Sequence, residues 1–219
     1  MMDMADLTLD EMRLALAPAV ANAAIFDGWR DAAVIAAAGT RGIDPDVARL
    51  IYPGGAMDMI GALAQAIDVE MAKMLPQEKL AAMPIRERIR SLVQFRLDAL
   101  AGLEESLRRA QAIMAMPQNA AKALKGHWNS ADIMWRLSGD TATDYNHYTK
   151  RMILSGIYGA TLAVFVDDES EGKADTRAFL DRRIEGVMKF EKAKAQWLKP
   201  GRETFSVTRF LGRLRYPAR

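Results

Sequence analysis

The chain of 219 residues contains no cysteine, which removes disulfide frameworks, thiolate metal sites and cysteine nucleophiles together. Histidine is nearly absent as well. His127 and His147 are the only two, too few for a histidine-rich metal centre. Charge of one sign is also lacking: the net charge is +2, so no global field draws the chain to nucleic acid. No apolar run approaches the roughly eighteen uncharged residues that a membrane span needs. The best stretch, Met152–Val166, is short and is interrupted by Ser155, Gly156 and Gly159. Strand-like alternation of any length is missing, and so are internal repeats and low-complexity segments.

What is present is helix-forming sequence. Half of the residues are hydrophobic, enough for a sizeable core, and alanine, leucine, methionine, arginine and glutamate fill most segments. The spacing predicts a helix over 8–26 and a short one over 31–38 that stops at Gly39, a residue suited to the left-handed conformation after a helix. A third begins at Asp44-Pro45, a cap followed by proline in the first turn, and a fourth covers 56–75. Pro76 and Pro84 bracket a connection. Beyond it Ile85, Ile89, Leu92, Val93 and Leu100 mark one apolar helical face, with Arg86, Arg88 and Arg90 on the other. A further helix ends near Met116, and others are expected over 118–137, 144–166, 176–197 and 203–215. The expected fold class is all-α, with domains at 1–75, 76–198 and 199–219.

Three short helices and a long fourth, with Gly28-Trp29, Ala37-Ala38-Gly39 and Leu50-Ile51-Tyr52-Pro53-Gly54 at the junctions, resemble the helix-turn-helix domain of TetR-type repressors. In that fold the third helix enters the major groove. Here it starts Asp44-Pro45-Asp46, placing two carboxylates where phosphates and base acceptors would lie, and Arg49 is its one charged donor. DNA affinity depends heavily on Lys and Arg at phosphates, so nucleic acid is not an expected partner. The two aspartates have an ordinary account as a cap and a helix-dipole partner.

Catalytic constellations fail in turn. Asp144-x-x-His147 puts two groups on one helix face, but a carboxylate-bridged di-iron site needs two Glu-x-x-His motifs and two more glutamates. Asp167, Asp168, Glu169 and Glu171 form an acidic run that reads as a solvated helix end; loose carboxylates hold divalent cations weakly. There is no phosphate loop, dinucleotide fingerprint or nucleophile elbow. The expectation is a protein that is not an enzyme and carries no cofactor and no metal.

The richest stretch is Trp128–Arg151, WNSADIMWRLSGDTATDYNHYTKR, continued by ILSGIYGATLAVFVDDES and DTRAFLDRRIEGVMKFEK. Asp132 with Trp135, Gly139-Asp140, Thr143-Asp144, Asn146 and Tyr148-Thr149-Lys150-Arg151 carry its pattern. Leu154, Gly156-Ile157-Tyr158, Thr161, Asp168, Ser170, Thr176, Phe179-Leu180 and Arg183 extend it. In this order the pieces resemble the signature of the Coq-nine family of ubiquinone-biosynthesis proteins, over roughly residues 28–195. The resemblance implies a TetR-like helical fold without DNA binding, an apolar pocket for an isoprenoid quinone lipid, and homodimers. It also implies association with the demethoxyubiquinone hydroxylase, a di-iron enzyme, as an accessory that delivers its substrate. Where the family usually has tryptophan, this chain has His147.

The residues themselves allow two readings of this segment. Thr143 or Asp144 suits the N-cap of the helix that follows. Trp135, Tyr145 and Tyr148 could pack between helices with Asp140 as a cap. Alternatively, Trp135, Asp140, Thr143, Asp144, Tyr145, Asn146, His147, Tyr148 and Arg151 form a partner-binding patch, because aromatics beside arginine are typical of interface centres. The resemblance favours an interface for at least some of them.

The last residues concentrate positive charge. From 199 to 219 there are six basic residues and one acid, Glu203. After Pro200-Gly201, Val207, Phe210, Leu211 and Leu214 fall on one helical face, flanked by Arg209 and Arg213 on one side and Arg215 on the other. Such a stripe suits an anionic membrane surface; it also suits packing on the body of the protein. With no leader pattern in the acidic first residues, the expected location is bacterial, cytoplasmic and peripheral on the inner membrane.

Overall fold

In the computed structural model every regular element among the described residues is a helix. The structure describes residues 7–143 and 145–197, with side chains as far as residue 189. Helix α1, Leu9–Asp27, opens on a reciprocal cap. The Thr8 side chain accepts from the Glu11 amide at 3.3 Å, and the Glu11 carboxylate accepts from the Thr8 amide at 2.9 Å. Such caps stabilise by about 1 kcal/mol. Gly28, at φ 70°, ends α1 with its amide donating to the Ala24 carbonyl at 3.1 Å. Trp29 then turns inward and donates Nε1–H to the Ser106 carbonyl at 2.8 Å.

Helix α2 is Asp31–Gly39 and α3 is Pro45–Ile51. Asp44 caps α3 by accepting from the Asp46 amide at 2.8 Å. The expectation that Gly39 would leave the helix is corrected: Gly39 is its last helical residue, and Gly42, at φ 67°, takes the left-handed conformation. Helix α4 is Ala56–Met74. The buried faces of α1 and α2 are rich in alanine (Ala17, Ala21, Ala24, Ala33, Ala37), which lets the two helices pack closely.

Two boundaries differ from the periodicity reading. The Pro76–Pro84 connection holds a short helix, α5, Gln77–Ala81, anchored by the fully buried Leu80. Helix α6, Ile85–Asp98, stops before Leu100. Leu100 is still buried, from a turn completed by Gly102 at φ 82°. The remaining elements are α7 (Glu104–Met114), α8 (Pro117–Leu137), α9 (Tyr145–Asp167), a 3₁₀ turn (Glu171–Lys173) and α10 (Ala174–Trp197).

Helix α4 is the central strut, packing on α1 and reaching α6, α7 and α8, while α8 lies along α9. Leu16, Met59, Leu92, Leu97, Met134, Leu154 and Phe165 form the core, each contributing on the order of 1.5–3 kcal/mol by burial. Residues up to Asp181 make one compact unit and those from Arg182 onward a second. All packing above belongs to the first; in the second, Lys189 and Glu185 pair along α10 at 2.9 Å. Among the described residues no helix is long and apolar enough to cross a membrane. The expected tail helix, with Val207, Arg209, Phe210, Leu211, Arg213, Leu214 and Arg215, lies outside the described residues.

Candidate functional site

The segment joining α8 to α9 is held from below by ion pairs. Arg151 is 2% exposed. It donates from Nε to Asp132 at 2.5 Å and from Nη1 to Asp140 at 3.1 Å and to the His147 carbonyl at 3.0 Å. Lys150 reaches the other Asp140 oxygen at 2.6 Å and stands 5.3 Å from the Trp135 ring centroid. Burial alone would raise the Asp140 carboxyl; the hydrogen bonds from Lys150 and Arg151 outweigh it and hold the group below the usual carboxylate range. Gly139, at φ 88°, holds a conformation that favours glycine, and a Cβ there would lie 3.3 Å from Arg88 Nη1, so the guanidinium would have to shift by a few tenths of an ångström. That nitrogen donates to the Ser138 carbonyl at 2.7 Å.

Above this base stand the aromatics. Tyr145 is 74% exposed, Tyr148 59% and Met152 64%. Tyr148 leans on Trp128 and His147, with ring centroids 6.1 and 5.1 Å away. His147 Nδ1 bonds the Ala142 carbonyl at 3.0 Å, and Trp135 Nε1 donates to the Lys150 carbonyl at 3.0 Å. The nine residues singled out in the sequence therefore divide. Tyr145, Tyr148 and the exposed Thr143 and Asn146 stand on the surface, with His147 and Trp135 partly covered. Asp140 and Arg151 are internal, so they shape the patch from beneath. Asp140 is an ion-pair partner of Lys150 and Arg151 in this arrangement, the role the capping alternative did not give it. Asp144 lies outside the described residues.

A second feature was not visible as residues in the sequence. A cavity of about 350 Å³ opens between α4, α6, α7, α8 and α9, within the size range of small-molecule sites. Ile60, Leu63 and Ile67 of α4, Leu107 and Met114 of α7 and Leu162 of α9 give it apolar walls. Its buried wall is polar. Arg96 lines it and is ion-paired with Asp68, which is not itself a lining residue; both are buried. Asp68 also accepts from Ser130 Oγ at 3.3 Å. The Arg96 guanidinium lies 4.9 Å from the Tyr158 ring centroid, and the His127 ring meets Tyr158 edge-on at 6.2 Å. Burial pushes the Asp68 carboxyl up, against the opposing pull of Arg96 and Ser130. Burial and the nearby Arg96 charge lower His127, leaving its imidazole neutral at neutral pH. Arg96 Nε–H has no acceptor among the described residues.

A signal for this wall does exist in the sequence. Ile89, Leu92, Val93 and Arg96 follow one helical stripe, so Arg96 occupies a core register.

The acidic run after α9 is more ordered than expected. Asp167 is exposed and pairs with Arg108 at 3.2 Å. Asp168 is buried and accepts from Ser170 Oγ at 2.5 Å, Thr176 N at 2.8 Å and Thr176 Oγ1 at 2.6 Å. Though burial acts to raise its pKa, these bonds hold its carboxyl far below the ordinary value. It is a structural cap for the start of α10, which corrects the reading of the whole run as solvated. Among the described residues no acidic or histidine cluster could hold a metal ion.

Comparison with known proteins follows the same division of the chain. Residues 120–191, covering the patch and the α8–α9 side of the cavity, match the family model COQ9. Over this region the chain is similar to the COQ9 family. The ubiquinone biosynthesis protein COQ9, mitochondrial, of Rattus norvegicus is 32% identical over 168 residues, covering 74% of this chain and 54% of the relative. Its Homo sapiens counterpart is 29% identical, covering 74% of this chain and 52% of the relative. The chain thus spans about half the length of these curated relatives. The fold has a solved neighbour in a TetR transcriptional regulator from Nitrosomonas europaea, with TM-score 0.65, 22% identity and coverage of 82% of this chain and 99% of that one. The fold is therefore TetR-like and all-α, as expected from the sequence.

Proposed function

We propose that this chain is a non-catalytic, lipid-binding accessory protein of ubiquinone biosynthesis. It holds a polyprenyl quinone intermediate in the cavity between α4 and α9. It presents that lipid to the demethoxyubiquinone hydroxylase, which docks on the patch of Tyr145, Tyr148, His147 and Trp135. The basic tail from residue 199 lies on the anionic inner membrane of a bacterium, and the chain works as a homodimer.

One observation carries the reading: the region similar to the COQ9 family includes both an exposed aromatic patch on a rigid ion-paired base and one side of an apolar cavity. Exposed tyrosines on a preorganised surface suit an interface centre, and the apolar walls, with Met114 adaptable in shape, suit an isoprenoid. The charge pattern of α3 supports leaving nucleic acid out, because its one arginine, Arg49, is paired with Asp46 on the same short helix.

The test is hydroxylase turnover of a demethoxyquinone embedded in anionic vesicles. Adding this chain is expected to raise the rate. The double variant Tyr145→Ala/Tyr148→Ala is expected to remove the gain while keeping the fold. A rate indifferent to the wild-type chain would overturn the proposal.

A further inference from the structure

The polar wall of the cavity has no task in holding a hydrocarbon tail. Burying an arginine and an aspartate among apolar helices costs more than burying apolar residues of the same shape, even when the two are paired. A pocket for tails alone is better lined without them. Here the pair is set beside Tyr158 and His127, and all four stand at or next to the cavity. Arg96, 2% exposed, also keeps a fully buried Nε–H without an acceptor among the described residues, which adds to the cost of burying the pair. A buried donor left unpaired is expensive and is normally satisfied.

We infer that this wall seats the head of the bound lipid, and that the head is neutral and carries hydrogen-bond acceptor oxygens, as a quinone or methoxyquinone ring does. This rests on the lipid-holding reading above and adds which end goes where. The charge balance selects the chemistry. Asp68 cancels Arg96, the Tyr158 hydroxyl can donate as well as accept, and His127 offers one donor and one acceptor. The wall therefore supplies several hydrogen-bonding groups and no net charge. A carboxylate or phosphate at this buried wall would lose its hydration with no uncancelled cation beside it. Lys122 and Lys125, the cations of the cavity lining without an ion-pair partner among the described residues, are exposed and serve only a group that stays near solvent. A ring with carbonyl or ether oxygens loses far less, and its flat face suits the aromatic edges of Tyr158 and His127.

The experiment measures binding of three probes by quenching or displacement at the purified full chain. They are a ubiquinone with two isoprene units, an isoprenoid hydrocarbon of matched length, and palmitate. The wild type is expected to bind the quinone at least about tenfold more tightly than either other probe, since a site built to hydrogen-bond its ligand discriminates against one that lacks the group. Tyr158→Phe and His127→Phe are each expected to narrow that ratio while leaving hydrocarbon affinity unchanged. The ratio is insensitive to a general loss of folded protein. The paired replacement Asp68→Leu/Arg96→Met, which leaves no lone charge, is expected to abolish it.

Equal binding of quinone and hydrocarbon by the wild type, or a ratio that survives all three variants, would overturn the inference and leave the lipid pocket standing. A preference for palmitate would overturn the neutral head. Binding of none of the probes would remove the lipid-holding reading and this inference with it.

Discussion

Two buried arginines organise this molecule, and they differ in how completely they are satisfied. Arg151, beneath the surface patch, donates to Asp132, Asp140 and the His147 carbonyl. Lys150 and Arg136 donate to the remaining oxygens of Asp140 and Asp132. Arg96, beside the cavity, has Asp68 and the face of Tyr158, yet its Nε–H is left without an acceptor. A network closed on itself fixes geometry, and here it holds a short loop and the first turns of α9 in one shape. A buried pair beside a cavity wall that also carries Tyr158 and His127 has hydrogen-bonding capacity to offer a ligand. The same residue type, equally buried, thus serves as scaffold at one place and as recognition at the other.

The largest expected effect comes from breaking the closed network. Arg151→Ala leaves Asp132 and Asp140 facing a void and removes a well-paired buried charge. Urea unfolding should show a loss of about 3 kcal/mol. Gly139→Ala strikes the same loop through the backbone. An L side chain at this φ costs about 1–2 kcal/mol, and the added carbon crowds Arg88 at 3.3 Å. The loss should appear in unfolding midpoints, with Arg88→Ala expected to relieve the crowding but not the backbone strain.

Acid separates the two networks in sign. Asp140 and Asp168 have folded pKa values lowered from the model-peptide value of 3.8. Their contribution is complete above that value and is lost as the pH falls through their folded pKa values. Asp68 is shifted the other way, so the folded state takes up its proton more readily than the unfolded chain does. Stability followed from pH 7 to pH 3 should therefore hold until about pH 4 and then fall, with the loss traced to the α9 ends of the molecule. A fall centred well above pH 5 would contradict this assignment. The smallest effect is at the surface. Tyr148→Ala removes an exposed ring that touches the half-buried Trp128 and His147, and its unfolding free energy should stay within about 1 kcal/mol of wild type.

How much of this could be read beforehand follows from the kind of signal. Caps and turn residues act locally, so Thr8 with Glu11, Asp44-Pro45 and Pro117 mark their helices in the sequence almost where the structure has them. Short pieces escaped because they are held by tertiary contact. Gln77–Ala81 is one turn between prolines and is fixed by the burial of Leu80, which periodicity over five residues cannot register. Leu100 kept the apolar spacing of α6 although the chain had already turned, because a buried turn and a buried helix face both call for leucine there.

The patch was legible as a set of residue types, through the family pattern. Which of them lie outside was not, since Arg151 and Tyr148 look equally suited to an interface until burial separates them. The Asp68–Arg96 pair was the least legible. Its members are 28 residues apart, and each reads as the polar side of an amphipathic helix unless the core register of Arg96 is noticed.

The most direct measurement of the central claim is organic extraction of the purified chain followed by mass spectrometry of what is released. The account predicts a co-purifying isoprenoid with a neutral oxygenated head, present in wild type and depleted in Asp68→Leu/Arg96→Met. A chain that releases no lipid and takes up no added quinone would contradict it, and would leave the α8–α9 patch as a surface for protein partners alone.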